Sequence, residues 1–319
     1  MSSYLDGKRI VIFGGAGFIG KNLISHLSKF SCSIKIVTRR NVKQKELRFL
    51  GGLGQIEISK IEQFSENKLE KIIQNSDIVI NLIGILYEKK FQTFEYVHFE
   101  IPKLISSLAK KYNIEKFIHM SALGVEDSKE SKYAMSKVKG EVIVKENFPN
   151  AIILKPSVVF GEDDNFINFF NQLSVFFPIL PVMGTPKINI KKKYFPILDF
   201  QSGVRFQPIY VGDLCEYVTK IVFEKNKKIK LAGPNILYFK EIIQIILKTN
   251  KRKRLLFPVP LILANIIALI TEKFPKPPLT RDQVKLLQND NVSVEGLRNL
   301  KKYVDFPKSL EIVLPTYIF

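Results

Sequence analysis

Three side chains in the first half of the chain have the types and spacing to move a proton. Tyr133 and Lys137 stand four residues apart in Tyr-Ala-Met-Ser-Lys, on a segment that reads as helix through Val144. Residues at i and i+4 share one helical face. An ammonium beside a phenol favours the phenolate and lowers its pKa, so the tyrosine can exchange a proton with a carbonyl or an alcohol. Twelve residues before Tyr133, Ser121 sits at the carboxyl end of a predicted strand, Lys116–Met120, and a serine hydroxyl there can hold the same substrate oxygen. Alone, a tyrosine–lysine pair of this spacing is usually helix surface. The elements around it decide its meaning.

The deciding stretch runs from Arg9 to Arg40, RIVIFGGAGFIGKNLISHLSKFSCSIKIVTRR. Its apolar run at 10–13 predicts a strand buried on both faces. Gly14-x-x-Gly17-x-x-Gly20 follows, then apolar residues at Ile19, Leu23 and Leu27 along one helix face, then a second strand over 34–37. Strand, glycine turn, helix and strand form the opening unit of a dinucleotide-binding, Rossmann-type fold. One glycine lets the chain turn, one lets the backbone approach a pyrophosphate, and one lets the helix pack close to the sheet. The free N–H groups at the helix start, around Phe18 and Ile19, then face the phosphates. A structural turn with no ligand is the alternative, and the placement between strand and amphipathic helix argues against it.

The end of the second strand bears on which nucleotide. An NAD-preferring site usually carries Asp or Glu about 20 residues beyond the glycines, on the ribose 2′-hydroxyl. Here the strand ends Val37-Thr38-Arg39-Arg40, without an acid. Two guanidiniums can fork a 2′-phosphate, so NADP(H) is the expected cofactor, with NAD(H) second. A solvated basic turn is the alternative reading of Arg39 and Arg40.

The remaining pattern supplies the rest of an α/β, doubly wound parallel sheet. Strands are predicted over 55–59, 77–84 and 151–154, with a helix over 68–74. Gly84 ends a strand, where open parallel sheets bind their ligands. The next helix carries Phe94, Val97, Ile101, Leu104, Ile105 and Leu108 on its apolar face, and its interior Pro102 predicts a kink or a late start. The 151–154 strand runs into Lys155-Pro156-Ser157, which places Pro156 at the same end of the sheet. The nucleotide-binding domain is expected over 1–161 and a smaller C-terminal α/β lobe over 162–319, with segments around 205–235 returning to the sheet. Within that lobe, 186–200 reads as a lysine-studded loop. A basic run, Lys251-Arg252-Lys253-Arg254, precedes the most hydrophobic stretch, LLFPVPLILANIIALI at 255–270. That stretch is shorter than the roughly 20 residues of a spanning helix, and Pro258 and Pro260 cut it further. It reads either as a buried helix behind a solvated loop or as an interfacial, membrane-lying segment.

Composition narrows the function classes. Two cysteines and three scattered histidines offer no disulfide framework and no metal-ligand spacing, so no metal site is expected. The net charge of +19 suits an anionic membrane or an acidic partner, or else reflects a composition rich in Lys, Ile and Asn. Basic runs are not interleaved with aromatic residues, so nucleic acid is not an expected partner. The first residues lack a signal-peptide core and enter the first strand almost at once, which predicts a cytoplasmic protein or a mature form.

With these residues in hand, the chain resembles the short-chain dehydrogenase/reductase superfamily in its extended and atypical, epimerase/dehydratase-like branches. More narrowly, it resembles the family of the nucleotide-binding accessory subunit of respiratory complex I and its bacterial relatives. The pieces that carry the likeness are FGGAGFIG at 13–20, GLGQ at 52–55, DIVINLIG at 77–84 and IEKFIHMSAL at 114–123. Further on come AIILKPSVVFGEDDNFIN at 151–168, QPIYVGDL at 207–214 and LTRDQV at 279–284. The resemblance implies a pyrophosphate loop at Gly14, Gly17 and Gly20, a 2′-phosphate contact at Arg39 or Arg40, and a catalytic triad of Ser121, Tyr133 and Lys137. Lys137 would also bond the nicotinamide ribose. Phe13 stands where extended enzymes usually carry Thr, His98 about where many carry a supporting asparagine, and SKIEQF at 59–64, whose one acid is Glu62, departs from the pattern expected near the adenine. The resemblance further implies complex I or ubiquinone-biosynthesis partners and a peripheral place on the inner membrane, on the matrix side in a eukaryote. Two functions are therefore expected in competition: a nucleotide-holding accessory or assembly protein, and an NADP-dependent reductase or epimerase/dehydratase.

Overall fold

The computed structural model describes residues 3–39, 44–184, 187–189, 197–199, 203–225 and 227–318. Along the first half, strands β1 (Arg9–Phe13), β2 (Ser33–Thr38), β3 (Ile56–Lys60), β4 (Ile78–Asn81), β5 (Lys116–Met120) and β6 (Ile152–Pro156) alternate with helices. These are α1 (Phe18–Leu27), α2 (Gln44–Arg48), α3 (Glu66–Ile73), α4 (Ile101–Lys111) and α5 (Lys132–Asn147). Beyond β6 come β7 (Val159–Phe160), α6 (Phe166–Phe176), β8 (Ile179–Met183), β9 (Lys187–Asn189), β10 (Ile197–Asp199), β11 (Arg205–Phe206) and β12 (Ile209–Tyr210). The chain continues with α7 (Val211–Ile221), β13 (Lys227–Leu231), β14 (Leu237–Tyr238), α8 (Phe239–Thr249), β15 (Leu255–Val259) and α9 (Leu261–Thr271). It ends with α10 (Arg281–Leu286), α11 (Val294–Leu300) and α12 (Leu310–Val313).

Seven strands form one sheet in the order β3-β2-β1-β4-β5-β6-β13, and every neighbouring pair is parallel. Such a sheet needs cover on both faces, and the strand pleat supplies apolar residues to each. Ile10 and Ile12 of β1 point into a core closed by Leu23, Ile24 and Leu27 of α1 and by Tyr217 and Val218 of α7. Val11 and Phe13 point the opposite way, against Leu69 of α3, Ile105 and Leu108 of α4 and Val144 of α5. The strand order reverses between β1 and β4, which is where open sheets of this kind bind nucleotides. The fold is thus a Rossmann-type, doubly wound sheet.

A third core, built from Phe160, Phe170, Leu180, Phe206, Phe239 and Ile243 among others, organises the C-terminal part. It packs over the carboxyl ends of the strands. Asn291 ties the two together: its amide donates to the Leu123 carbonyl, and its Oδ1 accepts from the Ser157 hydroxyl at 2.5 Å and the Val158 N–H. β13, at 227–231, crosses back to pair with β6.

Two local features differ from simple periodicity. The helix after β4 contains a π-helical turn, Tyr96–Glu100, that runs directly into α4, and Pro102 is the second residue of α4, just past that turn. The hydrophobic stretch at 255–270 is divided at Pro260 into β15, which pairs with β8, and α9.

Candidate functional site

The glycine loop turns between β1 and α1. Gly14 has φ +79°, and a Cβ there would come 3.1 Å from the Leu82 carbonyl carbon at the end of β4. Both the backbone angle and the space exclude a larger residue. A Cβ on Gly20 would lie 2.5 Å from Gly15 Cα, so this glycine lets α1 pack directly on the turn. Gly17 is the N-cap of α1 and provides no side-chain cap, and the first turn carries no acid. The cap thus offers no side-chain acceptor to the N–H groups of the first turn, Phe18 and Ile19 included, and such groups suit a pyrophosphate.

At the end of β2, the Arg39 guanidinium stacks over the Phe64 ring, 5.6 Å from its centroid, and reaches Gln92 Oε1 at 3.5 Å. Arg40 lies outside the described residues.

Lys137 and Gly84 meet across the site. The ammonium donates to the Met120 carbonyl at 3.2 Å, and a Cβ on Gly84 would sit 3.2 Å from Nζ. The missing side chain at Gly84 thus admits the lysine to the strand ends. His98, from the π turn, fixes this corner. Its Nε2 accepts from the Ile85 N–H at 3.1 Å, which leaves Nδ1–H to donate to Ser136 Oγ at 2.8 Å. Ser136 in turn donates to the Tyr133 carbonyl. Burial, with Lys137 and His119 nearby, pulls His98 down to about 2, so the ring is neutral and its two roles stay distinct. Tyr133 is half-buried beside it, edge-on to the His98 ring at 5.3 Å and to the Phe94 ring at 5.8 Å.

Spacing alone predicts that Lys137 lowers the pKa of Tyr133. The structure reverses the direction. Burial, with the Asp282 carboxylate adding to it, pushes Tyr133 up to about 12. Burial also pulls Lys137 down to about 8, against the opposing effect of Glu141. Desolvation acts on both groups and favours the neutral form of each.

Ser121 follows β5 as expected, but its hydroxyl donates to Glu141 Oε1 at 2.5 Å. A serine has one O–H, so its donor is engaged. Glu141 is 1% exposed and also pairs with Lys155 of β6 at 3.2 Å; Lys155, 3% exposed, reaches Glu126 at 2.7 Å. Pro156, next to Lys155, ends β6 and is buried, its carbonyl taken by the Leu123 N–H. Sequence reasoning passed over Glu141 and Lys155, although Tyr133, Lys137 and Glu141 stand at i, i+4 and i+8 on one helix face. It also missed Asp282, whose carboxylate accepts from the Lys132 N–H at 2.7 Å, the Tyr133 N–H at 3.0 Å and the Ser131 hydroxyl at 2.8 Å. Among the described residues no group of His, Cys, Asp and Glu is placed to hold a metal ion.

This geometry can hold a dinucleotide along the switch point and present Tyr133 and Lys137 to its far end. Comparison with known proteins agrees with the fold. Residues 10–180 match the model of the NAD dependent epimerase/dehydratase family. The chain is 29% identical over 97% of its length to NADH dehydrogenase (ubiquinone) 1 alpha subcomplex subunit 9, a mitochondrial protein of Mus musculus, covering 79% of that protein. It is 25% identical, over 91% of its length and 73% of the relative's, to the mitochondrial NADH-ubiquinone oxidoreductase 40 kDa subunit of Neurospora crassa. Among solved structures, UDP-glucose 4-epimerase of Thermus thermophilus in complex with NAD superposes with a TM-score of 0.70. That match is 13% identical and covers 97% of both chains.

Proposed function

The chain belongs to the NAD dependent epimerase/dehydratase family, and we propose that within it this protein is a nucleotide-holding accessory or assembly factor of a complex I-type NADH dehydrogenase, with NADP(H) as its ligand. The observation that carries this reading is the contrast between the two halves of the site. The glycine loop, the uncapped start of α1 and the Gly84–Lys137 approach are shaped for a nucleotide. The proton-transfer half is less favourably arranged: burial and the Asp282 carboxylate raise the Tyr133 hydroxyl to about 12, and the Ser121 donor is occupied by Glu141. The length over which the chain matches mitochondrial NADH dehydrogenase subunits supports the same partner. Arg39 at the end of β2, its guanidinium over the Phe64 ring, supports NADP(H) over NAD(H). The place of action would be the matrix or cytoplasmic side of the energy-transducing membrane.

The second reading is an NADP-dependent reductase or epimerase/dehydratase on a small molecule. The placing of Tyr133 and Lys137 on one helix face favours it. A bound nicotinamide would supply hydride chemistry; Tyr133 would exchange a proton with the substrate oxygen, and Lys137 would hold the ribose.

Native mass spectrometry of the purified protein, with affinity capture from detergent-solubilised membranes, tests the first reading. Retained NADP(H) together with NADH dehydrogenase subunits is the expected result. Capture of quinone-biosynthesis proteins would move the assignment to that assembly. Free nucleotide exchange on a partnerless protein, with turnover abolished in Tyr133→Phe, would overturn it in favour of the enzyme. Arg39→Ala with Arg40→Ala should weaken NADPH far more than NADH; equal losses would refute the 2′-phosphate role.

A further inference from the structure

Helix α9, LILANIIALIT, is apolar but for Asn265 and Thr271, a composition that normally marks a buried helix. Here only Ala264 and Ala268 are buried. Ile262, Leu263, Ile266, Leu269 and Ile270 are between 39% and 71% exposed. At about 100° per residue these five fall on roughly a third of the helix circumference, opposite the two alanines. The preceding strand continues the pattern. Leu255 and Phe257 of β15 are exposed, and Leu255 pairs in register with exposed Ile179 of β8.

Charge frames this face. Exposed Lys251 and Lys253 lead into β15, and exposed Lys273 and Lys276 follow α9. Across 251–276 the sole acid is Glu272, which is paired with Arg281. Arg252 and Arg254 are turned inward, onto Ser174 of α6, so the outward charge belongs to the lysines. No side chain among the five exposed α9 residues carries a hydrogen-bonding group. Asn265, between them and the core, is satisfied by the Leu261 carbonyl. Protein interfaces rely on aromatic and arginine anchors with directional polar contacts. The patch does include exposed aromatics, Phe257 and Phe274, but an apolar face whose outward side chains carry no hydrogen-bonding group, with lysines at both ends, fits a non-directional apolar phase under a layer of anions.

We propose that α9 lies in the plane of an anionic bilayer, its exposed face in the acyl–headgroup boundary and Lys251, Lys253, Lys273 and Lys276 at the lipid phosphates. The helix, 11 residues and about 16 Å long, lies on the membrane without crossing it. No helix among the described residues is long and apolar enough to span one. This stands apart from the nucleotide reading, because it uses none of the residues of the glycine loop or of α5.

The test uses the full chain with vesicles of phosphatidylcholine alone or mixed with phosphatidylglycerol, and bound NADP(H) measured on the same sample. The wild type should float with the anionic vesicles only, and raised salt should release it. Ile262→Asn with Ile266→Asn should abolish flotation, and Lys251→Gln with Lys253→Gln should weaken it by roughly 30-fold. The chain has no tryptophan, so Ile266→Trp introduces a single indole, whose emission should shift to the blue on adding anionic vesicles. Failure of the wild type to float, an unshifted indole, or flotation insensitive to the isoleucine changes would overturn the proposal. So would a concentration-dependent dimer that Ile266→Asn dissociates, which would assign the face to a second copy. Nucleotide retention is expected to be unchanged in every variant, so loss of vesicle binding and loss of the nucleotide reading are separable.

Discussion

The carboxylate of Asp282 accepts the Tyr133 backbone N–H at 3.0 Å, across 149 residues of chain. It takes the Lys132 N–H and the Ser131 hydroxyl as well, so the C-terminal lobe supplies the charged cap of the helix that carries Tyr133 and Lys137. A carboxylate at a helix N-terminus is favoured by the macrodipole and by the unsatisfied N–H groups. The lobe is therefore coupled to the start of α5 through this side chain.

Asp282→Ala leaves two N–H groups and a hydroxyl without that acceptor and should cost about 1–3 kcal/mol in urea unfolding. Asp282→Asn keeps an acceptor oxygen and should cost less. Because the Asp282 charge adds to the rise in Tyr133, the tyrosinate absorbance of Asp282→Asn, referenced to the same variant with Tyr133→Phe, should titrate at lower pH. An unmoved titration would show that burial alone sets Tyr133.

Gly20→Ala places a methyl 2.5 Å from Gly15 Cα and must push α1 off the turn. Nucleotide affinity, read by calorimetry with NADPH, should fall by more than tenfold, since a displacement of about 1 Å already costs 10²-fold in precisely oriented sites. Gly52→Ala, whose Cβ meets only the end of a flexible glutamine at 3.6 Å, serves as the control and should leave affinity unchanged.

Glu141→Gln keeps an acceptor for Ser121 but breaks the buried pair with Lys155. Stability should drop by about 1–3 kcal/mol, because Lys155 loses one of its two carboxylate partners and keeps Glu126 at 2.7 Å. Combining it with Lys155→Met should recover part of the loss in a double-mutant cycle. Ser121→Ala removes a single hydrogen bond and should cost about 1 kcal/mol.

Lys137 gives the stability a defined pH dependence. Its pKa is about 8 in the folded protein against 10.5 in the unfolded chain. Between these values the unfolded state holds the extra proton, so this group's contribution to stability rises with pH from 8 upward; below pH 8 the buried ammonium destabilises the fold. The full difference is about 3 kcal/mol. Chemical denaturation of the wild type from pH 7 to 10 should show a gain that Lys137→Met lacks.

Local patterns in the chain determine much of the architecture. The run at 10–13, the three glycines and the spacing of Ile19, Leu23 and Leu27 place β1, the turn and α1. β5 runs from Lys116 to Met120, the stretch its apolar residues Phe117, Ile118 and Met120 mark, although Lys116 and His119 are buried in it as well. Tyr133 and Lys137 share a face because helical periodicity requires it. What the patterns leave open depends on distance and dielectric. That Ser121 donates to Glu141, that Asp282 caps α5, and that β13 joins β6 are contacts between segments far apart in sequence, chosen by packing rather than by any local period. The Tyr133–Lys137 electrostatics turn on burial, which spacing does not encode, and desolvation outweighs the pairing that proximity suggests. The same holds for the hydrophobic stretch at 255–270. Its composition marks it as apolar, but only the seating of Ala264 and Ala268 against the core decides which side of α9 is left facing outward.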